Sequence, residues 1–251
     1  MKKFASLLAV ITSVILFSSC SKDQNPQPAN NANKLKSYTE VVNSTSIGNS
    51  TTTFTFGYDN SDRIISITTS LSSGDKFLFT YPSANTFSMD IYVSGSVSIH
   101  EDFFLNSNSL MDSTYQYNDT QDTTTEKYFY NSGNQLIKMN EYDYYAPNSV
   151  LSNVTNYTYD TNGNVVKSTD SNNEVDTYDY YSDLVNIMPM IIPGQISTKK
   201  MNLLKTHTVT SNGYPVGSAI STYTFDSSNR ISTIIQTADE GTVDTKTFTY
   251  F

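Results

Sequence analysis

A polar turn that recurs along the chain limits what this sequence can fold into more than any other feature. Each clear copy has an aromatic residue before Asp or Asn, and an aliphatic residue five positions after that polar residue. Asp and Asn bond their own backbone two residues later and tolerate left-handed conformations, so each copy predicts a tight turn. Weaker copies lie near residues 82, 106 and 212, and the first five copies, at 59, 82, 106, 131 and 160, are spaced 23–29 residues apart. The clear copies are YDNSDRI at 58–64, YNSGNQL at 130–136, YDTNGNV at 159–165 and FDSSNRI at 225–231.

The segments between the turns alternate in polarity. Phe54, Phe56 and Tyr58, for example, are separated by Thr or Gly, and a period of two is typical of a half-buried strand. One repeat then holds two strands and two turns, so residues 37–251 predict roughly 14–18 antiparallel strands. A meander of that size has to curl or close. The sequence therefore predicts an all-β fold, a large antiparallel meander closed or curled into a barrel.

One segment interrupts this pattern. Residues 183–194, DLVNIMPMIIPG, are strongly apolar and contain Pro189 and Pro193, which exclude a long helix. We expect this segment to cross from one part of the sheet to another. It is also a candidate lid or partner-docking patch, whereas the simpler interpretation is that it covers one barrel end.

The first residues have the pattern of an export signal. Lys2 and Lys3 precede an apolar run that ends at Phe17, followed by small residues and Cys20. The run is shorter than the ~20 residues of a membrane-spanning helix. We predict a signal peptide at 1–19, and the Pro- and Asn-containing stretch at 20–36 is predicted to be a flexible tether that starts at Cys20. Residues 37–251 are predicted to form a single barrel-like repeat domain.

Phe17-Ser18-Ser19-Cys20 resembles the lipobox of bacterial lipoproteins. The resemblance implies that Cys20 carries acyl chains such as palmitate, so the membrane is a partner through this anchor. Ser21, the residue after Cys20, resembles the residue found there in lipoproteins of the outer-membrane class. Ser21-Lys22-Asp23 resembles the surface-export tag of Bacteroidota lipoproteins. We therefore expect an outer-membrane lipoprotein and favour the cell surface over the periplasmic face. An ordinary secretory signal with an incidental Cys20 is the alternative.

The turns resemble the tyrosine–aspartate (YD) repeats of Rhs-type shells. The whole layout more closely resembles a family of uncharacterised Bacteroidota lipoproteins with a porin-like fold, over about residues 37–251. Besides the turns, this resemblance rests on DYYSD at 179–183 and SNGYP at 211–215. It implies a fold and no particular activity.

Composition excludes several classes of protein. The chain has one Cys, two His and a net charge of −9, which argues against disulfide scaffolds, Cys/His zinc sites and nucleic-acid binding. Asp170, Asn172, Glu174 and Asp176 alternate as in a calcium loop, but Val175 stands where such a loop needs Gly. We therefore predict no metal, no cofactor and no nucleic-acid partner.

Aromatic pairs at positions i and i+2 are the main candidates for a binding surface. They serve either as the core or as a wall for a glycan or a lipid. The nine pairs are Phe54/Phe56, Phe77/Phe79, Tyr115/Tyr117, Tyr128/Tyr130, Tyr142/Tyr144, Tyr157/Tyr159, Tyr178/Tyr180, Tyr223/Phe225 and Phe248/Tyr250. The candidate ligand or partner surface comprises Tyr128, Tyr130, Tyr157, Tyr159, Tyr178, Tyr180, Leu184, Ile187, Met190 and Ile191.

Residues suited to catalysis are sparse. His100 and His207 lie in strand-like segments without a nucleophile-and-base pattern, and we expect both to be exposed polar residues. Thr245, Thr247 and Thr249 argue against a lipid-facing barrel. We expect a non-enzymatic, lipid-anchored envelope protein that binds a glycan, an envelope component or an envelope protein. The alternatives are a carrier or sensor of a hydrophobic small molecule inside the barrel and, less favoured, a hydrolase with two strand-borne carboxylates.

Overall fold

The computed structural model describes residues 34–44, 48–72, 74–118, 123–145, 148–186 and 201–251. These residues form one closed antiparallel barrel of sixteen strands. The strands are β1 (Leu35–Asn43), β2 (Ser50–Tyr58), β3 (Ile64–Thr69), β4 (Lys76–Ser83), β5 (Thr86–Val93), β6 (Ser96–Leu105), β7 (Met111–Asn118), β8 (Thr123–Tyr130), β9 (Leu136–Tyr145), β10 (Asn148–Tyr159), β11 (Val165–Thr169), β12 (Glu174–Val185), β13 (Asn202–Ser211), β14 (Tyr214–Phe225), β15 (Ile231–Ala238) and β16 (Val243–Tyr250).

Each strand pairs with its neighbours in sequence, and β1 pairs with β16 to close the barrel, with Tyr38 opposite Phe248. The prediction of an all-β meander of this size is therefore confirmed. The barrel begins at Leu35, two residues before the expected domain start. Among the described residues, no helix is long and apolar enough to cross a membrane.

The expected crossover after residue 183 is wrong. β12 runs to Val185 and pairs directly with β13, with Tyr178 opposite His207. The connection therefore joins two adjacent strands, and Asn186 N donates to Met201 O across 2.8 Å where it leaves the sheet. Two prolines argue against a long helix but do not identify the strand to which a connection leads.

The recurring turns share one hydrogen-bond pattern. In the first, Oδ1 of Asp59 accepts the backbone N–H groups of Ser61 and Arg63 at 2.8 and 3.0 Å. The N–H of Asp59 donates to Arg63 O, and Asp62 takes a positive φ of 65°. The same pattern recurs in the turns that begin at Asn106, Asn131, Asp160, Asp170 and Asp226.

Both ends of the described chain lie at one end of the barrel, where Phe251 N donates to Lys34 O. We call this the terminal end. Five of the six turns also lie there, because each follows an even-numbered strand and the paired strands are antiparallel. The sixth turn, at Asp170, lies at the opposite end. Its Asp170 carboxylate accepts backbone N–H groups of the same turn, in the segment whose spacing resembles that of a calcium loop.

The two faces of the barrel wall differ in chemistry. The interior face carries most of the core, in which Tyr38 stacks on Phe54 at 4.6 Å and Phe87 stacks on Phe103 at 4.3 Å. On the outer face of β1, β2, β15 and β16, threonines stand opposite one another, and Thr39 Oγ1 lies 3.0 Å from Thr53 Oγ1. A lipid-facing barrel needs an apolar band about 25 Å tall on that face, whereas these strands present hydroxyls.

Candidate functional site

The six tyrosines predicted as a ligand surface lie on the interior face, in two layers. Those nearer the terminal end donate their hydroxyls to backbone carbonyls of a neighbouring strand. Tyr130 bonds Met111 O at 2.7 Å and Tyr180 bonds Val165 O at 2.8 Å. These phenols are therefore occupied by structural hydrogen bonds.

A β-bulge explains why these carbonyls need a partner. After each turn the register shifts by one residue, as between Tyr159 opposite Val165 and Thr158 opposite Lys167. A bulge leaves one residue without its ladder bond, and a buried carbonyl without a partner is costly. A tyrosine on the next, even-numbered strand donates its hydroxyl to this backbone carbonyl and so supplies the missing hydrogen bond. The tyrosines are Tyr58, Tyr81, Tyr130, Tyr159, Tyr180, Tyr223 and Tyr250, on seven of the eight even strands.

The deeper layer, Tyr128, Tyr157 and Tyr178, lies among charged groups. Tyr178 stacks on His207 at 4.9 Å, and His207 Nε2 lies 2.8 Å from Asp176 Oδ1. Burial alone would raise the pKa of Asp176, but the hydrogen bonds from His207 and Ser168 lower it. The expectation that His207 is an exposed strand residue is therefore wrong, since it is half-buried on the interior face.

The carboxyl of Glu126 lies close enough to that of Glu101 to affect its titration. Burial, and then the charge of Glu126, raise the pKa of Glu101 to about 8. The hydroxyl of Tyr128 donates to Glu126, and that of Thr114 contacts the same carboxylate at 3.5 Å. Burial, followed by the charges of Glu126 and Asp143, also raises the pKa of Glu141. This side of the interior therefore holds acid groups that repel one another.

The remaining predicted site residues divide into two groups. Leu184 is partly buried and packs against the interior core. Ile187, Met190 and Ile191 lie outside the described residues, as does Cys20. Among the residues that the structure does describe, no group of three or more His, Cys, Asp or Glu is arranged to hold a metal ion.

Four other tyrosines face outward on β7 and β9. Tyr115 and Tyr142 both stand opposite Thr125 of β8, and Tyr117 and Tyr144 both stand opposite Thr123. Directly opposed residues share a face of the sheet, so the four rings form a two-by-two outer array with a threonine floor. Tyr115, Tyr117 and Tyr144 are 41%, 42% and 46% exposed. We call Tyr115, Tyr117, Tyr142 and Tyr144 the outer tyrosine array.

A histidine held by two aspartates borders this array. His100 stacks on Tyr117 at 4.8 Å; its Nδ1 lies 2.6 Å from Asp90 Oδ1 and its Nε2 lies 3.1 Å from Asp102 Oδ1. Ser88 also donates to Asp102. Carboxylates only accept, and a neutral imidazole carries a single N–H, so both contacts together require the imidazolium. Burial opposes that charge, but the two aspartates raise the pKa of His100.

Polar groups are interleaved with the rings of the array. The ammonium of Lys127 lies 5.6 Å from the Tyr142 ring centre, and Asn140 Nδ2 donates to the Tyr142 hydroxyl. Four buried side-chain oxygens in the described part of the chain lack a hydrogen-bond partner, and two of them, Thr123 Oγ1 and Asn140 Oδ1, lie in this wall. An unsatisfied buried polar atom in a native fold needs an explanation.

Sequence reasoning found these tyrosines as pairs but did not assign their face. The pairs Tyr115/Tyr117 and Tyr128/Tyr130 look alike in sequence, yet the first faces outward and the second inward. The only available signal was the residues that alternate with the tyrosines, since these lie on the opposite face of the strand. They are Thr114 and Gln116 around Tyr115, and Lys127 and Phe129 around Tyr128. The bulge at the turn decides which of the two faces points into the barrel.

Comparisons with known proteins bear on the fold. No family model and no curated protein matches the chain. The crystal structure of a porin-like protein from Bacteroides uniformis ATCC 8492 is similar, with a TM-score of 0.62 and 13% identity over 86% of this chain and 98% of that one. A porin-like protein from Bacteroides vulgatus ATCC 8482 gives 0.58 and 11% over the same shares. The chain therefore has the porin-like barrel fold of these Bacteroides proteins.

Proposed function

We propose that this protein is a non-enzymatic, lipid-anchored component of a bacterial outer membrane that binds a glycan through the outer tyrosine array. The observation that carries the proposal is the array of four outward-facing tyrosine rings bordered by hydrogen-bonding groups. Tyrosine offers a flat apolar face with a polar tip, which suits the apolar faces and hydroxyl edges of sugars. The porin-like fold of the two Bacteroides proteins agrees with an envelope location.

The anchor is proposed to be Cys20, with display at the cell surface. Lys34, the first described residue, lies at the terminal end, so the chain enters β1 from that end of the barrel. Replacement Cys20→Ala is expected to abolish incorporation of labelled palmitate and to move the protein out of the membrane fraction. Unchanged labelling of the variant would refute the anchor.

Affinity gel electrophoresis tests glycan binding. The whole protein, solubilised from the envelope in detergent, is run in native gels that contain dextran, pullulan, xylan, mannan or alginate. We expect at least one polysaccharide to retard the protein, and we expect Tyr115→Ala/Tyr142→Ala to remove the retardation. Tyr214→Ala is the matched control, because Tyr214 is exposed on β14, outside the array. No retardation by any polysaccharide, or equal retardation of the double variant, contradicts the proposal.

Interior features support two other candidate functions less well. The buried aromatic interior is what a carrier of a hydrophobic small molecule would use, but Phe54, Phe87 and Phe103 pack against neighbouring side chains as core. The Glu101–Glu126 pair, with one raised pKa, is what a hydrolase would use. We assign that pair a structural role, because Tyr128 binds Glu126 and Glu101 lies on the enclosed face.

A further inference from the structure

The spacing of the outer tyrosine array sets the length of ligand that it fits. Tyr115 and Tyr142 lie on strands separated by β8, so they are two inter-strand spacings apart, about 9.5 Å. Along β7 the rings of Tyr115 and Tyr117 are 6.1 Å apart. A ligand that covers one ring from each strand therefore has to extend across three strands, over about 9.5 Å.

The array lies on the face of a sheet, and this position determines which part of an extended ligand it contacts. Thr123 and Thr125 form its floor, and three of its rings are two-fifths or more exposed. Such a surface contacts the face of an extended chain along its length. The exposed rings of Tyr115, Tyr117 and Tyr144 carry hydroxyl groups, which favours a hydroxyl-rich ligand over an apolar protein surface.

The charges next to the array are balanced. The carboxylates of Asp90 and Asp102 border it on β5 and β6, and the imidazolium of His100 and the ammonium of Lys127 offset them. The whole chain carries −9, which repels polyanions at long range. Neither the local nor the overall charge favours an acidic polysaccharide.

We propose that the outer tyrosine array binds an internal stretch of an uncharged polysaccharide laid across β7, β8 and β9, with sugar faces on Tyr115 and Tyr142 together. This inference rests on the proposed glycan binding and adds the class of glycan, its charge and its direction on the barrel. Tyr117 and Tyr144 form a second, parallel row that widens the contact.

Isothermal titration with oligosaccharides tests the inference. The whole protein is titrated with β-1,4-glucan, β-1,4-xylan, β-1,4-mannan, α-1,6-glucan and oligoalginate fragments two to about eight units long. With at least one neutral series, we expect affinity to rise until the oligosaccharide covers both Tyr115 and Tyr142 and then to level off. Tyr115→Ala and Tyr142→Ala are each expected to weaken the longest neutral oligomer roughly tenfold and to remove the length dependence. Tyr214→Ala serves as the control.

The possible outcomes separate this inference from the proposed function. Binding that is independent of length, binding that loses affinity in only one of the two variants, or equal binding of oligoalginate overturns the inference and leaves glycan binding standing. No binding of any oligosaccharide overturns both. Association of the array with a second copy of the chain, seen as a concentration-dependent rise in mass that Tyr117→Ala abolishes, also overturns both.

Discussion

The phenol of Tyr159 donates a hydrogen bond to the backbone carbonyl of Leu136 across 2.7 Å, between β10 and β9. Leu136 is fully buried and lies at the bulge that follows its turn. Burial raises the pKa of Tyr159 to about 12, so the hydroxyl remains a donor over the physiological range. Tyrosines on other even-numbered strands make the same hydrogen bond to a backbone carbonyl, so these side chains help to stabilise the barrel.

Replacing Tyr159 by Phe is expected to destabilise the barrel by about 1–3 kcal/mol, because the carbonyl of Leu136 keeps its burial and loses its donor. Urea unfolding monitored by circular dichroism measures the change. Tyr144→Phe is the control and is expected to change stability by less than about 0.5 kcal/mol, since Tyr144 is exposed on the outer wall. Equal effects of the two substitutions would show that the carbonyl bond contributes nothing.

The turn at Asp226 predicts a loss of stability in acid. The backbone N–H of Arg230 and the other donors of the turn lower the pKa of Asp226. A carboxyl with a depressed folded-state pKa stabilises the fold above its unfolded pKa and loses that contribution as the pH falls through the folded value. Replacement Asp226→Ala is expected to lower the thermal midpoint at pH 7 and to have less effect at pH 2.

The variant Asp226→Asn separates the two roles of this side chain. Its amide oxygen still accepts the N–H groups of Ser228 and Arg230, as Asn131 does in its own turn, but the ion pair with Arg230 is lost. We expect Asp226→Asn to fall between wild type and Asp226→Ala in thermal midpoint at pH 7. A midpoint equal to that of Asp226→Ala would assign the whole effect to the ion pair.

The Glu101 carboxyl predicts the opposite pH dependence. Its folded-state pKa of about 8 is above that of an unfolded Glu, so the folded state binds the proton more tightly and stability falls as the pH rises from about 4.5 to 8. Glu101→Gln is expected to raise the free energy of unfolding at pH 8.5 by roughly 2–3 kcal/mol and to change it little at pH 4.5. Glu240→Gln, at an exposed hairpin tip, is the control. An equal change in the free energy of unfolding at both pH values would contradict the raised pKa of Glu101.

His100 provides a test at the border of the outer tyrosine array. Because Asp90 and Asp102 raise its pKa against the effect of burial, we expect the imidazolium to persist above the ordinary value of 6.5. Its stabilising effect is complete below pH 6.5 and is lost as the pH rises through the folded-state pKa. NMR titration of the ring protons measures this value, and Asp90→Asn is expected to lower it. A midpoint at or below 6.5 in the wild type would contradict the two-aspartate geometry.

Sequence patterns predicted the barrel because its determinants are local. Asp59 and its equivalents fix each turn through bonds within five residues, and alternation between turns fixes the strands. The bulges were not predictable from alternation, because an extra residue after each turn inverts which residues face inward. The partners of interior groups, such as Asp176 for His207, come from residues far apart in the chain, and no local pattern encodes them.

Local sequence patterns likewise predicted the candidate site only in part. The tyrosines selected from sequence, such as Tyr130 and Tyr159, are similar in sequence to those of the outer array, yet their hydroxyls are bound to backbone carbonyls. The difference between the two sets lies in the face of the wall, which closure of the barrel and the register of β7 to β9 decide. Asp90 meets His100 through the pairing of β5 with β6, whereas Asp102 lies two residues from His100 on the same strand.

Nitration of tyrosines, resolved by site with mass spectrometry, tests the central claim most directly. The whole protein is treated with tetranitromethane alone and with a saturating amount of the polysaccharide that retards it in native gels. We predict that Tyr115, Tyr117, Tyr142 and Tyr144 are nitrated more slowly in the presence of the polysaccharide, while Tyr214 is unaffected. Unchanged rates at the four array tyrosines, with protection elsewhere on the barrel, would contradict the account.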